Sequence, residues 1–337
     1  MRIITQAVIT IPLIVFTLTA IAEDPSKETI NSILLHQRDS GGWPKNIDYS
    51  EPVEKAALLR ARSEIDSTID NGATTEEMQI LAQAYTQTRN ETYRTAFING
   101  LKFCLEAQYG NGGWPQKSPD TSGYHGHITF NDGAMIKVMG LLKQIAEEAS
   151  YEFVDQDLRD LSSQAVQKGI DCLLKCQIII DGKRTVWCAQ HDQDSFLPAK
   201  ARSYELPSFS GSESVGVVRF LIGIQNPSKE ITESIEAAIE WFRAHQIKGY
   251  KVVKTPAPES LKGIDRIVVA DANAPGMWAR FYDLETFEPF FCSRDGIPKR
   301  QLSEISYERR NGYSWYTTSA RGLLAKDYPK WKKLNRN

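Results

Sequence analysis

The sequence predicts an all-α protein, an incomplete (α/α) toroid of repeated helix pairs in which long loops and short β segments form an active-site groove. Three observations support this fold class. Helix-ending segments recur at near-equal intervals, apolar residues inside the intervals follow a helical period, and glycine and proline punctuate the gaps. The units are few and carry large insertions, so we expect an incomplete ring.

The repeat is visible in four segments that end in glutamine. They read SILLHQ, KFCLEAQ, CLLKCQ and EWFRAHQ, and their last residues (Gln37, Gln108, Gln177 and Gln246) are 71, 69 and 69 residues apart. A period of about seventy residues predicts stacked units, each of two helices and one long loop. Loops on a rigid scaffold commonly carry function, so we expect these loops to build the groove.

Each unit contains two helical patterns. The first begins at Thr74, which forms a capping box with Glu77, and its partner spans residues 91–108 with a continuous apolar face. The later units repeat this order, with helices expected at residues 132–149, 157–177, 212–225 and 228–246.

A Gly-Gly-Trp-Pro turn follows the first two of these helix ends. It occurs as GGWPKN at 41–46 and as GGWPQK at 112–117, whereas the third unit keeps only Trp187 and the fourth only KGYKV. We interpret Trp43 and Trp114 as scaffold that packs a loop onto a helix end. The copies differ after the proline, where only the first offers a cation, Lys45.

Residues 1–22 are predicted to be a secretory signal peptide, and residues 23–337 a single domain. Arg2 precedes an apolar run from Ala7 to Ile21, and Ala-Ile-Ala before an acidic segment predicts cleavage after Ala22. A membrane anchor is the alternative, although the run is near the lower length limit for a span. We therefore expect a secreted or periplasmic monomer with no membrane association after cleavage.

The charge and the cysteine content exclude two further kinds of protein, a basic nucleic-acid binder and a cysteine–histidine zinc protein. A formal net charge of −2 excludes a globally basic nucleic-acid binder, so an anionic ligand must be bound by a local basic cluster. The five cysteines cannot all pair with one another, and none has the Cys-His spacing of a zinc site. We predict buried thiols, with one or two disulfides as the alternative.

Acidic residues stand where the first helix of each unit begins. The motifs are DNGA at 70–73, NDGA at 131–134 and GSES at 211–214, and they bring Asp70, Asp132 and Glu213 towards one end of the ring. Helix capping explains Glu213, but the doubled Asx-Asx-Gly favours a groove floor for the two aspartates. Paired carboxylates are typical of a glycoside hydrolase or of a site for Ca²⁺.

Clustered basic residues distinguish these possibilities. They are Lys200, Arg202, Arg294, Lys299, Arg300, Arg309 and Arg310. Arginine binds carboxylates through two parallel hydrogen bonds, so the set indicates an acidic glycan rather than a neutral one. For a uronic acid polymer the natural reaction is elimination, in which a base removes the C5 proton and the oxygen leaves C4. A cation must then neutralise the substrate carboxylate.

Eight motifs resemble the family-ten pectate lyases, in order from about residue 40 to residue 316. They are GGWPKN, STIDNGATT, ITFNDGAM, VWCAQH, KARSYELPSFSGSESVGV, MWARFYDLET, FFCSRDG and ERRNGYSWY. The resemblance implies an incomplete α/α toroid, calcium dependence and β-elimination of polygalacturonate.

The resemblance also implies roles for four residues. Arg294 resembles the arginine that removes the C5 proton, and Arg202 the arginine that holds a substrate carboxylate. Asp132 resembles a calcium ligand, and Asp70 the second essential aspartate near that calcium. Because a free guanidinium is effectively always protonated, an arginine base requires an alkaline optimum, a shifted pKa or help from solvent. A salt bridge from Arg294 to Asp295 is the structural alternative.

The remaining candidates carry weaker expectations. Lys45 and Asn71 contact uronates or serve surface and capping roles, and Tyr313 and Trp315 stack on sugar rings, although Trp315 fits the core equally well. We expect structural or loop-pinning roles for the other polar candidates, which are His125, His127, His191, Glu205, Arg309 and Arg310.

The sequence thus predicts an exported, calcium-dependent pectate lyase that acts on polygalacturonate or pectate oligosaccharides and releases 4,5-unsaturated products. One alternative is an inverting glycoside hydrolase on an acidic glycan, with Asp70 and Asp132 as its acid and base. The other is a non-catalytic pectin-binding protein. Arg202 and Arg294 separate the three, because neither alternative needs both arginines beside the aspartates.

Overall fold

The computed structural model describes residues 25–52 and 54–335. The predicted signal peptide and its cleavage site lie outside the described residues, so export stays a prediction. The α-helices of the described part are α1 (Lys27–His36), α2 (Lys55–Ala61), α3 (Thr75–Thr88), α4 (Glu91–Glu106), α5 (Ala134–Glu147), α6 (Gln156–Cys176), α7 (Glu213–Ile222), α8 (Lys229–Ala244), α9 (Tyr307–Gly312), α10 (Ser319–Gly322) and α11 (Tyr328–Leu334).

The predicted helix pairs are confirmed, with ends within three residues of those expected. Helix α3 packs on α4, α5 on α6, and α7 on α8. The first helices of the pairs contact one another in series, and so do the second helices, which gives two layers around one large apolar core. The apolar stripe of each helix faces this core because side chains three and four positions apart share a face.

The prediction of an all-α toroid is wrong. Helices make up about 47% of the described residues and strands 13%. These strands form six two-stranded antiparallel sheets within residues 25–52 and 54–335. In chain order they are β1 (Ile128–Thr129), β2 (Ile179–Ile180), β3 (Lys183–Arg184), β4 (Gln190–His191), β5 (Phe209–Ser210), β6 (Tyr250–Pro256), β7 (Ile264–Ala270), β8 (Trp278–Ala279), β9 (Phe281–Tyr282), β10 (Phe291–Cys292), β11 (Pro298–Lys299) and β12 (Tyr316–Thr317).

Most strands could not be seen in the sequence because two residues are too short to show a period of two. They form where long loops meet. In the pairing of β1 with β4, for example, Ile128 lies opposite His191, which is 63 positions further along the sequence. The exception is the hairpin of β6 and β7, with seven residues in each strand. Together they make this a mixed helix-and-strand protein.

Four fully buried tryptophans fix the loops to the helix ends. Each indole N–H donates to a main-chain carbonyl oxygen at 2.7–2.8 Å, from Trp43 to Ile33, Trp114 to Cys104, Trp187 to Leu173 and Trp278 to Phe242. The scaffold role predicted for the first two is confirmed. The fourth unit also has its tryptophan, which the sequence reading missed because the hairpin β6–β7 separates it from the helix end.

The repeated glutamines hold neighbouring units together. In the first three units the side-chain amide donates to a carbonyl of its own loop and to a carbonyl in the second helix of the next unit, from Gln37 to Ala96, Gln108 to Ala165 and Gln177 to Ser234. One residue thus satisfies two main-chain acceptors, which explains why the glutamine marks the repeat more faithfully than the turn that follows it.

The glycine that opens the second turn should be irreplaceable. Gly112 has φ +94°, and a Cβ there would lie 2.0 Å from the carbonyl oxygen of Lys168. We expect Gly112→Ala to lower the free energy of unfolding by more than about 1 kcal/mol, measured by denaturant titration. Gly110→Ala is the matched control, since nothing lies within 4 Å of its Cβ position. Equal unfolding midpoints for the two variants would contradict this explanation.

The cysteine prediction is confirmed for all five residues, which are buried and unpaired. Cys172 and Cys176, one helical turn apart in α6, have sulfur atoms 4.0 Å apart and no disulfide. Among the described helices, none combines the length and apolar character needed to span a bilayer.

Candidate active site

Two short 3-10 turns form the floor of the candidate site. They span Asp70–Gly72 and Asn131–Gly133, directly before helices α3 and α5, and they contact each other. The second turn also contacts α7, whose first residue is Glu213. The structure therefore brings the three predicted acidic positions into neighbouring turns at one end of the helix pairs.

The two aspartates do not occupy equivalent positions in these turns. The residue with left-handed backbone is Asn71 in the first turn (φ 55°) and Asp132 in the second (φ 50°). Asp70 therefore matches Asn131, and both are buried. The inversion from Asp-Asn to Asn-Asp points one carboxylate inwards and leaves the other, Asp132, 42% exposed. Sequence alignment of the motifs by their glycine could have revealed this difference.

Asp70 is held by the first Gly-Gly-Trp-Pro loop. Its carboxylate pairs with the ammonium group of Lys45, and its Oδ1 accepts the Asn71 N–H at 3.1 Å. The Asn71 side chain donates to Asn46 Oδ1 at 3.0 Å. The loop that distinguishes the two copies of the motif thus places its cation directly on the groove floor.

The buried side chain of Arg280 forms hydrogen bonds with the acidic groups of the site. Its Nη2 lies 3.1 Å from Asp132 Oδ1 and from Asn131 Oδ1, and it also bonds the buried carboxylate of Glu213. Burial opposes the positive charge, but the carboxylates, with Glu213 first among them, raise the pKa of Arg280 above its ordinary value. Glu213 therefore does more than cap α7, the role preferred from sequence.

Sequence reasoning missed Arg280 as a site residue. It lies in the apolar stretch Trp-Ala-Arg-Phe-Tyr, in which every residue is buried. Arginine is almost never fully buried without a charged partner, so a single arginine in such a stretch is the signal that could have identified it.

Two tyrosine rings contact neighbouring guanidinium groups. Tyr313 contacts Arg280 and Arg202, whose guanidinium carbons are 4.7 and 5.7 Å from its centroid. Tyr204 contacts Arg202 and Arg294, at 5.1 and 5.8 Å, and Arg309 at 4.5 Å. These cation–π contacts connect both predicted arginines, through Arg280, to Asp132. We call Arg280, Tyr313, Arg202, Tyr204 and Arg294 the arginine–tyrosine row.

Arg202 is fixed by a carboxylate behind it. Its Nε and Nη2 bond the two oxygens of the buried Glu205 at 2.7 and 2.5 Å, and Tyr313 donates its hydroxyl to Glu205 at 2.7 Å. Burial alone would raise the pKa of Glu205, but the Arg202 guanidinium holds it below its ordinary value. In the described part of the chain, Nη1 of Arg202 has no protein partner and is available to a ligand.

Arg294 lies at the exposed end of the row. Its side chain is 64% exposed and forms a salt bridge with Glu308, with Nη2 and Oε1 3.1 Å apart. The structural alternative named Asp295 as the partner, and the structure records Glu308 instead. Hydrogen bonds from Arg309 and Arg294 lower the pKa of Glu308 to about 2, so this partner stays ionised.

The other aromatic and histidine candidates have structural contacts. Trp315 is buried and donates its indole N–H to the Arg309 carbonyl oxygen at 2.9 Å. His191 is buried, its Nδ1 is 2.8 Å from the Phe196 carbonyl oxygen, and burial lowers its pKa to about 4. His125 lies 2.8 Å from Gln116 Oε1. These contacts support the structural roles expected from sequence.

The donor groups fit a calcium ion only in part. Calcium takes six to eight oxygen ligands, and Asp132 and Asp70 offer two carboxylates on adjoining turns. Within residues 25–52 and 54–335, no group of three or more acidic, histidine or cysteine side chains is arranged to hold a metal. Both carboxylates are paired with protein cations, Asp70 with Lys45 and Asp132 with Arg280, so a calcium ion bound here would need further oxygen ligands from water and from an anionic substrate.

Comparison with known proteins identifies close similarity. The family described as pectic acid lyase matches residues 37–324. A mutant of a family 10 polysaccharide lyase from Cellvibrio cellulosa, solved in complex with trigalacturonic acid, is 35% identical, with a TM-score of 0.80 over 89% of this chain and 92% of that chain. A second structure of the family 10 enzyme from that organism is also 35% identical, with a TM-score of 0.78 over 89% and 91%. No curated protein sequence matches the chain significantly.

Proposed function

Because this chain belongs to the pectic acid lyase family and is a pectate lyase, we propose that it cleaves α-1,4-linked polygalacturonate by β-elimination and releases 4,5-unsaturated oligogalacturonates. The observation that carries the proposal is the arginine–tyrosine row beside two acidic turns. It offers cations for uronate carboxylates, and two aromatic rings that contact those cations. The trigalacturonic acid bound by the similar Cellvibrio enzyme supports oligogalacturonates as ligands.

The reaction needs one proton removed and one bond broken. A base takes the proton from C5, the electron pair forms the C4–C5 double bond, and the glycosidic oxygen leaves C4 and takes a proton from water. The substrate carboxylate at C5 opposes this step until positive charge neutralises it. Cationic side chains held in advance lower that barrier, because they need no reorganisation as charge develops.

Arg202 and Arg294 have different roles in this reaction, one in proton removal and the other in carboxylate binding. The resemblance assigns proton removal to Arg294 and carboxylate binding to Arg202. The contacts favour the reverse assignment, because Arg202 is the less exposed of the two, at 41% against 64%, and shares the Tyr313 ring with Arg280 and hence with Asp132. We propose the reverse assignment as the one to test.

Lys45, Asn71 and Tyr313 complete the substrate site. Lys45 and Asn71 stand at the floor beside Asp70, where the ammonium group meets a uronate and the amide a sugar hydroxyl. We propose that Asp132 and Asp70 hold Ca²⁺ together with substrate and water. When bound there, calcium supplies positive charge that neutralises the substrate carboxylate and acidifies the C5 proton.

Elimination and calcium dependence can be tested in one assay. Polygalacturonate with Ca²⁺ should give absorbance near the ultraviolet edge from the new double bond, and chelator should remove more than about 90% of the rate. Restoring Ca²⁺ is the control for chelator damage. Reducing sugar released without that absorbance would support the inverting hydrolase and contradict elimination, whereas full activity in chelator would contradict calcium alone.

A further inference from the structure

A second cavity lies outside the arginine–tyrosine row. The hairpin β6–β7 covers the segment 313–316, and a cavity of about 380 Å³ remains between them. This volume falls within the usual range for small-ligand sites, roughly 300–1,000 Å³. The exposed ring of Tyr250 stands at its edge, 49% accessible.

The charged side chains that line this cavity are all cationic. They are Lys251, Lys254, Arg266, Arg310 and Arg321. Lys251 and Arg310 pair with Asp271 and Asp265, and Arg321 donates to two main-chain carbonyls. Within the described part of the chain, Lys254 and Arg266 form no ion pair, so these two cations face the cavity without neutralisation.

The strand register places Lys254 and Arg266, two like charges, next to each other. Lys254 lies directly opposite Arg266 across the antiparallel hairpin. Like charges in that position destabilise a sheet, while opposite charges stabilise it. An anion bound between the two side chains would remove the repulsion, so the hairpin is built in a way that favours an anionic ligand.

The cavity and the active site share one residue. Arg266 Nη1 donates to the main-chain carbonyl oxygen of Tyr313 at 2.9 Å, whereas the Tyr313 ring and hydroxyl contact Arg280, Arg202 and Glu205. The two places are therefore distinct, yet separated by a single segment of chain.

We propose that this cavity is a second binding site for a uronate unit of an oligogalacturonate. Lys254 and Arg266 bind the carboxylate, and Tyr250 packs against the sugar face. The site would hold a remote part of a long chain or a released product close to the active site. The inference rests on the chain being a pectate lyase, and neither on the calcium nor on the choice of base.

Calorimetric titration of trigalacturonic acid tests the proposal. The protein is the Arg202→Ala/Arg294→Ala double variant, in which active-site binding is weakened and turnover prevented. We expect one remaining site, weakened at least about tenfold by adding Lys254→Glu and weakened by salt. Lys248→Glu is the matched control, since Lys248 is exposed nearby and does not line the cavity.

Several outcomes would overturn the proposal. They are the absence of residual binding, equal effects of Lys254→Glu and Lys248→Glu, and equal affinity for inorganic phosphate or neutral galactotriose. Lys254→Glu should not unfold the protein, because it creates an opposite-charge pair with Arg266 and should leave the melting temperature unchanged or raised. In the otherwise unmodified enzyme, Lys254→Glu should leave the initial rate on trigalacturonic acid within about twofold. Absence of lyase activity in both proteins would instead count against the proposed function.

Discussion

Replacing Arg280 with alanine should strongly lower lyase activity and destabilise the protein. The Glu213 side chain is only 2% exposed and would lose its cationic partner. Breaking a buried ion pair from one side costs about 3–5 kcal/mol, because the remaining charge stays buried and uncompensated. Asp132 would lose the bond that fixes its Oδ1, and Tyr313 the cation on its face.

Two measurements separate the structural from the functional part of this effect. Denaturant unfolding should show a larger loss for Arg280→Ala than for the double variant Arg280→Met/Glu213→Leu, which removes both charges. Lyase activity, measured where both variants remain folded, should fall at least about a hundredfold in both, because Asp132 is released in either case. An Arg280→Ala protein with unchanged unfolding midpoint would contradict the buried-pair explanation.

The helix pairs were predictable because their signals are local. Apolar residues at helical spacing and a glutamine every seventy residues each reflect contacts that recur in every unit, such as the Gln108 amide on the carbonyls of Gly112 and Ala165. The sheets were not predictable, since strands such as Phe209–Ser210 and Phe281–Tyr282 become strands only when two distant loops meet.

The site was predictable by residue type and less so by arrangement. The doubled Asx-Asx-Gly located both acidic turns, but the inverted order, with Asp70 buried and Asp132 exposed, depends on which position adopts the left-handed backbone. Arg280 was missed because its importance arises from burial against Glu213, and that contact joins segments 67 positions apart.

Arg202→Ala should cause a much larger loss of turnover than Arg294→Ala. A general base contributes about 10²–10⁴ to the rate, so its removal should lower kcat by about that factor with little change in KM. Arg294→Ala should instead raise KM about tenfold or more with a smaller change in kcat, because this exposed guanidinium only binds a carboxylate. Steady-state rates of double-bond formation over a range of substrate concentrations, repeated at several pH values, supply both constants.

The variants Arg202→Lys and Arg294→Lys test the same assignment through the pH dependence of kcat. A guanidinium stays protonated at ordinary pH, whereas lysine titrates near 10.4, so a lysine base becomes neutral at lower pH. Arg202→Lys should therefore retain measurable activity and shift the alkaline rise of kcat to lower pH, while Arg294→Lys should leave the profile in place. If Arg294→Lys moves the profile and Arg202→Lys does not, the assignment implied by family resemblance is correct and ours is wrong. Glu205 provides a further test of which arginine is the base. Burial opposes the charge of Arg202, but the hydrogen bond to the ionised Glu205 carboxylate raises the pKa of Arg202 above its ordinary value. Glu205→Gln should therefore shift the alkaline rise of kcat to lower pH only if Arg202 is the base.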